Sequence, residues 1–125
     1  MLDHMTFRVA DLDKSVAFYG AALLPLGYAK LVDQDFGGGR IVGFGRDGKI
    51  DTWFVQASPV TTGCHLAWRA ESRAAVAAFH AGALSAGGRD NGAPGLRPHY
   101  HKDYFGAFVI DPDGNNVEAV CHEAA

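Results

Sequence analysis

Three residues of types that bind divalent metal ions stand at related positions in this chain. His4 and His65 each open a segment that alternates like a strand, and Glu118 lies in the last such segment. Glu118 has apolar neighbours, and burying an ionised carboxylate is costly unless it is paired or bound to a cation. Two neutral imidazoles and one carboxylate suit a divalent transition ion. We therefore expect His4, His65 and Glu118 to hold one ion of Fe, Mn, Ni or Zn.

The two histidines occupy equivalent places in an internal repeat. When residue 4 is aligned with residue 65, residues 4–9 and 65–70 share the pattern His-x-x-aromatic-Arg without a gap. Such self-similarity indicates two copies of one structural unit. If the copies pack about a pseudo-two-fold axis, His4 and His65 converge from opposite sides, as a metal site requires.

Each copy is expected to fold as a strand, a helix and three further strands, because apolar spacing and turn residues mark these elements. In the first copy we predict a strand over 4–9, a helix from a cap at Asp11 or Asp13 to Gly27, and strands Tyr28–Val32, Arg40–Phe44 and Ile50–Gln56. In the second copy we predict strands His65–Ala70, Phe105–Ile110 and Asn116–Cys121, and a helix from Ser72 to about Ala86. Residues 90–102 are predicted to form a loop where a middle strand would stand.

The predicted fold class is therefore α+β, with two βαβββ units and sheets curled around a central cleft. The units cover about residues 1–58 and 62–122 of a single domain, 1–125. The formal net charge of −3 favours neither a nucleic-acid partner nor an anionic membrane. No apolar stretch approaches the ~18 residues of a membrane span, and the first residues lack a secretory signal. We expect a cytoplasmic protein whose two cysteines are reduced.

The loop before the last two strands carries further polar side chains. Arg97 is expected to bind a carboxylate or phosphate of a substrate, and His101 or Tyr104 to donate or accept a proton beside the metal. The neighbouring His99 and Tyr100 are expected to line the same substrate pocket. His99 and His101 also remain alternative metal ligands, or residues of a solvated loop.

The chain resembles the vicinal oxygen chelate superfamily, which includes glyoxalase I, extradiol dioxygenases, fosfomycin-resistance enzymes and bleomycin-binding proteins. The resemblance rests on residues 2–4 and 11–19, on His65, and on the closing sequence Asp-Pro-Asp-Gly-Asn-Asn-Val-Glu at residues 111–118. It implies paired βαβββ units, often a homodimer, and a divalent ion that binds two oxygens of the substrate. The ligand positions of the metal-dependent members match His4, His65 and Glu118.

The fourth ligand of glyoxalase I has no counterpart in the first half. Aligning the Asp-Gly turns places Thr52 opposite Glu118, and a shift of one residue offers Asp51 or Trp53 instead. The resemblance is thus closer to the three-ligand sites of extradiol dioxygenases and fosfomycin-modifying enzymes. Trp53, with Phe7 and Trp68, is expected to supply an apolar wall of the substrate pocket.

These residues favour a metal-dependent enzyme acting on a small organic substrate that is chelated through vicinal oxygens. The reaction would be of the lyase or isomerase type of glyoxalase, with Glu118 as base, or of the dioxygenase type. The alternative is a metal-free small-molecule-binding or resistance protein of the bleomycin-binding type.

Overall fold

The computed structural model describes residues 1–125 and contains eight strands and two α-helices. In chain order these are β1 (Met5–Val9), α1 (Leu12–Leu23), β2 (Ala29–Asp35), β3 (Arg40–Arg46), β4 (Lys49–Gln56), β5 (His65–Arg69), α2 (Arg73–Ser85), β6 (Arg89–Leu96), β7 (Phe105–Ile110) and β8 (Asn116–Cys121), with a short 3₁₀ helix (Leu24–Leu26) after α1. Side-chain oxygens of Asp11 and Ser72 cap the two helices by accepting from Lys14 N and Ala75 N.

The strands form two four-stranded sheets of identical topology. The first has the order β1-β4-β3-β2 and the second the order β5-β8-β7-β6. In each sheet the opening strand pairs in parallel with the closing strand, whereas the other pairs are antiparallel. The predicted α+β fold of two βαβββ units with open, curled sheets is therefore confirmed.

One apolar core joins the two units. It contains 22 buried residues drawn from both sheets and both helices. At its centre the ring of Phe7 lies 6.5 Å from that of Trp68, and the ring of Tyr19 lies 4.6 Å from that of Phe54. Alternate residues of every core strand point inward, so the other residues line an outward face on each sheet. We call these the open faces of the first and second sheets.

The prediction of a loop over residues 90–102 is wrong in its first half. Residues Arg89–Leu96 form β6, an edge strand paired with β7, although its register shifts at Gly92 and again before Gly95. The bulges interrupt the alternation of side chains, which is why the sequence pattern conceals this strand. Residues 97–104 form the connection that carries the polar side chains. No helix of the chain is long and apolar enough to cross a membrane.

A buried carboxylate ties the first helix to the second unit. Asp111, 5% exposed, accepts hydrogen bonds from the backbone N–H groups of Asp113 and Asn115 at 2.9 and 2.8 Å. The hydroxyl of Tyr19 on α1 donates to its Oδ2 at 2.5 Å. Burial and the negative charge of Asp111 raise the pKa of Tyr19 well above its ordinary value, so the phenol stays neutral and remains a donor.

Replacing Tyr19 by Phe should lower the free energy of unfolding by about 1.5–3 kcal/mol, because it removes a buried hydrogen bond to a charged acceptor. Urea unfolding near pH 7 measures this loss, and Tyr100→Phe at an exposed position should change it by less than about 0.5 kcal/mol. A raised pKa stabilises the fold below the unfolded value, so the Tyr19 contribution should decline as pH rises above ~10. Equal stability of Tyr19→Phe and the wild type would contradict this account.

Candidate functional site

Strand β8 places Glu118 on the open face of the second sheet. Val117, Ala119 and Cys121 join the apolar core, and Glu118 points the other way, between Ala67 of β5 and Phe108 of β7. Its side chain is nevertheless only 1% exposed. A carboxylate so poorly hydrated needs polar partners, and the partners decide what it can do.

Both oxygens of Glu118 have a hydrogen-bond donor within this chain. The Nε2 of His65 lies 2.8 Å from Oε1, and the hydroxyl of Tyr104 donates to Oε2. Gly106 makes room for this contact, because a Cβ there would lie 3.1 Å from Oε2 and 3.2 Å from the Tyr104 ring. These two side chains compensate the burial of Glu118 in this chain.

The two donors differ in exposure and in proton affinity. The His65 side chain is 55% exposed, so part of its imidazole ring reaches solvent beside the buried carboxylate. Burial first, and then the hydrogen bond to Glu118, raise the pKa of Tyr104 above its ordinary value. Tyr104 is therefore a neutral phenol at physiological pH and a donor rather than a base. The predicted proximity of Tyr104 to Glu118 is present.

The remaining side chains of the 97–104 connection contact other groups. Arg97 donates to the carbonyls of Ala93 and Gly95, both at 2.9 Å, and its guanidinium lies 5.4 Å from the centre of the Phe108 ring. It thus stands at the edge of the open face with two donors engaged. The rings of His99 and Tyr100 lie 4.2 Å apart, and those of Tyr100 and Tyr104 lie 4.8 Å apart.

His101 is paired with a histidine that the sequence analysis missed. The Nδ1 of His101 accepts from the backbone N–H of Asp103 at 3.1 Å, so its Nε2 carries the hydrogen and donates to His122 Nδ1 at 2.9 Å. The rings of His101 and His122 lie 5.5 and 5.4 Å from that of Tyr104, so this pair is separated from Glu118 by the Tyr104 side chain. His122 comes directly after β8, the strand that carries Glu118. This closeness in sequence was the signal that could have identified His122.

His4 lies on the open face of the first sheet. Its Nδ1 is 2.7 Å from Oδ2 of Asp3. The Nζ of Lys49 donates to the other oxygen of this carboxylate, Oδ1, at 3.4 Å. These hydrogen bonds, from His4 first and then from Lys49, lower the pKa of Asp3. The face holds a cavity of about 670 Å³ lined by Asp3, His4, Thr6, Phe36, Ile41, Ile50, Trp53 and Val55.

The expected convergence of His4 with His65 within one chain does not occur. His65 and Glu118 are in contact, but no group of three or more His, Cys, Asp or Glu side chains could hold a metal ion. The reason is the shared core: it takes up the inner faces of both sheets, and the two histidines lie on separate open faces. The chain therefore brings together two of the three predicted ligands.

The strand register settles the equivalent of Glu118 in the first half. Thr6 of β1 is the repeat counterpart of Ala67 of β5. Thr6 pairs with Trp53 and Ala67 pairs with Glu118, so Trp53 is the structural equivalent of Glu118. A bulge between β3 and β4 inserts one residue, Asp51, which shifts the alignment based on the turns. Asp51 accepts from the hydroxyls of Tyr28 at 2.7 Å and Thr52 at 2.8 Å, and Thr52 is fully buried.

A family model described as "Glyoxalase/Bleomycin resistance protein/Dioxygenase superfamily" matches residues 1–119. The chain belongs to this superfamily. Its fold is similar to that of a glyoxalase/bleomycin resistance protein from Albidiferax ferrireducens T118. The two align with a TM-score of 0.81 and 27% identity over 98% of this chain and 99% of that chain.

Two further structures share the superfamily fold. Glyoxalase I from Zea mays aligns with a TM-score of 0.69 and 23% identity over 99% of this chain, which spans 45% of that chain. TnmS3, an antibiotic-binding protein from Streptomyces sp. CB03234, aligns with a TM-score of 0.68 and 24% identity over 97% of this chain and 94% of that chain. No curated protein sequence matches. An enzyme and a binding protein are thus both built on this frame.

The protonation of Tyr104 can be tested by ultraviolet difference titration in the presence of a chelator. Subtracting the curve of Tyr104→Phe from that of the wild type isolates one phenol, whose midpoint should lie above the ~10 of free tyrosine. In Glu118→Ala the same midpoint should move toward ~10, because a negative neighbour and an acceptor are lost. A midpoint at or below ~10 in the wild type would show that Tyr104 does not donate to a buried carboxylate.

Proposed function

We propose that this protein is a divalent-metal-dependent enzyme that acts on a small organic substrate through two vicinal oxygens. The observation that carries the proposal is the contact between Nε2 of His65, whose side chain is partly exposed, and the buried Oε1 of Glu118, 2.8 Å apart. The ion would be held by His65 and Glu118 of one copy and by His4 of a second copy in a homodimer.

The donor set fits such an ion. An imidazole nitrogen beside a carboxylate oxygen is a combination used by Fe, Mn, Ni and Zn, and the imidazole is within reach of solvent. Glu118 also keeps its hydrogen bond from Tyr104, which would orient it as a ligand, as groups behind a metal site commonly do. His65 would exchange its hydrogen bond to Glu118 for the ion.

The second copy follows from the separation of the open faces. His4 and His65 are equivalent in the repeat but lie on different open faces of one chain. They can meet only if the first sheet of one copy faces the second sheet of another. A two-fold dimer forms two such clefts at once, because an interface of this kind is self-complementary.

The ion would act as a Lewis acid that stabilises negative charge on the substrate oxygens. The protein's own groups then handle protons. In this proposal Glu118 would accept a proton from a substrate carbon or hydroxyl, and the neutral phenol of Tyr104, which donates to Glu118, would hydrogen-bond the anion or return the proton. Both the lyase or isomerase type and the dioxygenase type of reaction use such a group.

The connection 97–104 would complete the substrate pocket. Arg97 engages two of its five N–H donors with backbone carbonyls, which leaves others for an anionic substrate group. His99 and Tyr100 would form the wall next to Tyr104. His101, held by His122 and Asp103, would act as a proton carrier at the mouth of the cleft.

Calorimetric titration with Mn²⁺, Ni²⁺ or Zn²⁺ of protein prepared without an affinity tag tests the ligand assignment. The wild type should bind one ion per chain, and His4→Ala, His65→Ala and Glu118→Ala should each lose about tenfold or more in affinity. Asp51→Ala is the matched control and should bind like the wild type, since Asp51 contacts Tyr28 and Thr52 instead.

Thermal unfolding in chelator verifies that each variant is folded. An undiminished affinity in any one of the three variants would remove that residue from the site. If the wild type binds no ion at all, the proposal fails, and a metal-free small-molecule-binding protein becomes the better description.

A further inference from the structure

The repeat has placed an aromatic side chain where the second half carries its carboxylate. On the open face of the first sheet, Trp53 of β4 pairs with Gly43 of β3, whereas at the equivalent place in the second sheet Glu118 of β8 pairs with Phe108 of β7. In the first sheet the aromatic ring is on the closing strand β4, whereas in the second sheet it is on the neighbouring strand β7. The two open faces thus differ in chemistry at the same point of one frame.

Gly43 is shaped to receive the indole. A Cβ at residue 43 would lie 2.8 Å from Cζ3 and 3.0 Å from Cε3 of Trp53, and 3.0 Å from Cγ2 of Ile50. Any side chain there would displace the six-membered ring from the sheet. The indole therefore lies directly against the backbone of β3 and remains only half-buried.

The rest of the cavity is mostly apolar. Ile41, Ile50 and Val55 surround Trp53, and the Phe36 side chain, 60% exposed, stands at the rim. A volume of about 670 Å³ lies within the range of small-molecule sites. Contact of the half-buried Trp53 and the exposed Phe36 with water is unfavourable, and an apolar ligand that covered them would gain free energy from the buried area.

We propose that Trp53 is the specificity-determining residue of an aromatic subsite, which binds a planar aromatic ring of the substrate by stacking on the indole. The location of the reacting oxygens near Glu118 rests on the proposed function. Ring binding itself needs no ion, because the cavity lies on the first sheet and, of the three proposed ligands, contains only His4.

The charged groups at one end of the cavity favour an uncharged ring. Asp3 is already paired with His4 and Lys49, so the rim presents no unpaired charge to a ligand. Polar oxygens of the substrate would instead face the second sheet of the other copy in the proposed dimer, where His65, Tyr104 and Arg97 lie. The substrate class is therefore a small molecule with an aromatic ring at one end and vicinal oxygens at the other.

The test uses 2-naphthol as a planar probe and trans-decahydro-2-naphthol as a saturated, puckered analogue of the same skeleton. Calorimetry is done on the full chain in chelator. Trp53→Leu should weaken 2-naphthol binding about five- to tenfold and Trp53→Phe less than that, because stacking contributes beyond apolar area. Binding of the saturated analogue should change by less than about twofold in Trp53→Leu, since Leu keeps the apolar contact.

Phe105→Leu is the matched control, because it removes a half-buried aromatic ring from the core side of the second sheet, where Arg73 covers it and neither open face is changed. It should leave 2-naphthol binding unchanged. Equal loss in Phe105→Leu, equal loss of both probes in Trp53→Leu, or no binding of 2-naphthol by the wild type would each overturn the proposal. Because chelator is present throughout, these outcomes do not depend on metal binding. Absence of metal binding in the separate titrations would contradict the proposed function but not the aromatic subsite.

Discussion

The burial of both inner sheet faces in one apolar core is the constraint on which the rest of the structure depends. Phe7 and Trp68 occupy equivalent positions in the repeat and lie against each other at the centre of that core. Once these two side chains point inward, strand alternation sends His4 and His65 outward onto the open faces. The same constraint separates the two histidines within a chain, which is why a site containing both needs a second copy.

The duplicated frame carries two different chemistries. In the second half a carboxylate is buried under an imidazole and a phenol, so the half is suited to proton transfer and ligation. In the first half Trp53 and Gly43 turn the equivalent place into an apolar surface. A cleft that combined one face of each kind would hold a substrate by its apolar part and react at its oxygens.

The sequence predicted the fold well because the repeat and the apolar periodicities are local signals. Strand alternation also placed Glu118 on the face opposite Val117 and Ala119 correctly. Strand β6 escaped prediction because bulges at Gly92 and Gly95 break its period. The alignment of the turns suggested Thr52 as the counterpart of Glu118, and the inserted Asp51 moves that place to Trp53. None of these three bulges can be recognised from the apolar spacing of a single sequence.

The site was only partly predictable for a different reason. That Tyr104 reaches Glu118 depends on the missing side chain of Gly106, and that His101 turns to His122 depends on the backbone N–H of Asp103. Both are contacts between segments that the sequence alone does not bring together. Likewise, the sequence does not show whether equivalent ligands converge within one copy or between two. This depends on which faces of the sheets are buried in the core.

The central claim, that one ion is shared between two copies, is tested most directly by metal content in a co-expressed mixture of two defective chains. One chain carries His4→Ala and the other carries His65→Ala with Glu118→Ala, so neither homodimer has a complete site. Random pairing should restore roughly a quarter of the wild-type number of tightly bound ions per chain, because a mixed two-fold dimer contains one intact cleft. If the mixture binds no more metal than the separate chains, the ion is not held between copies and the account is wrong.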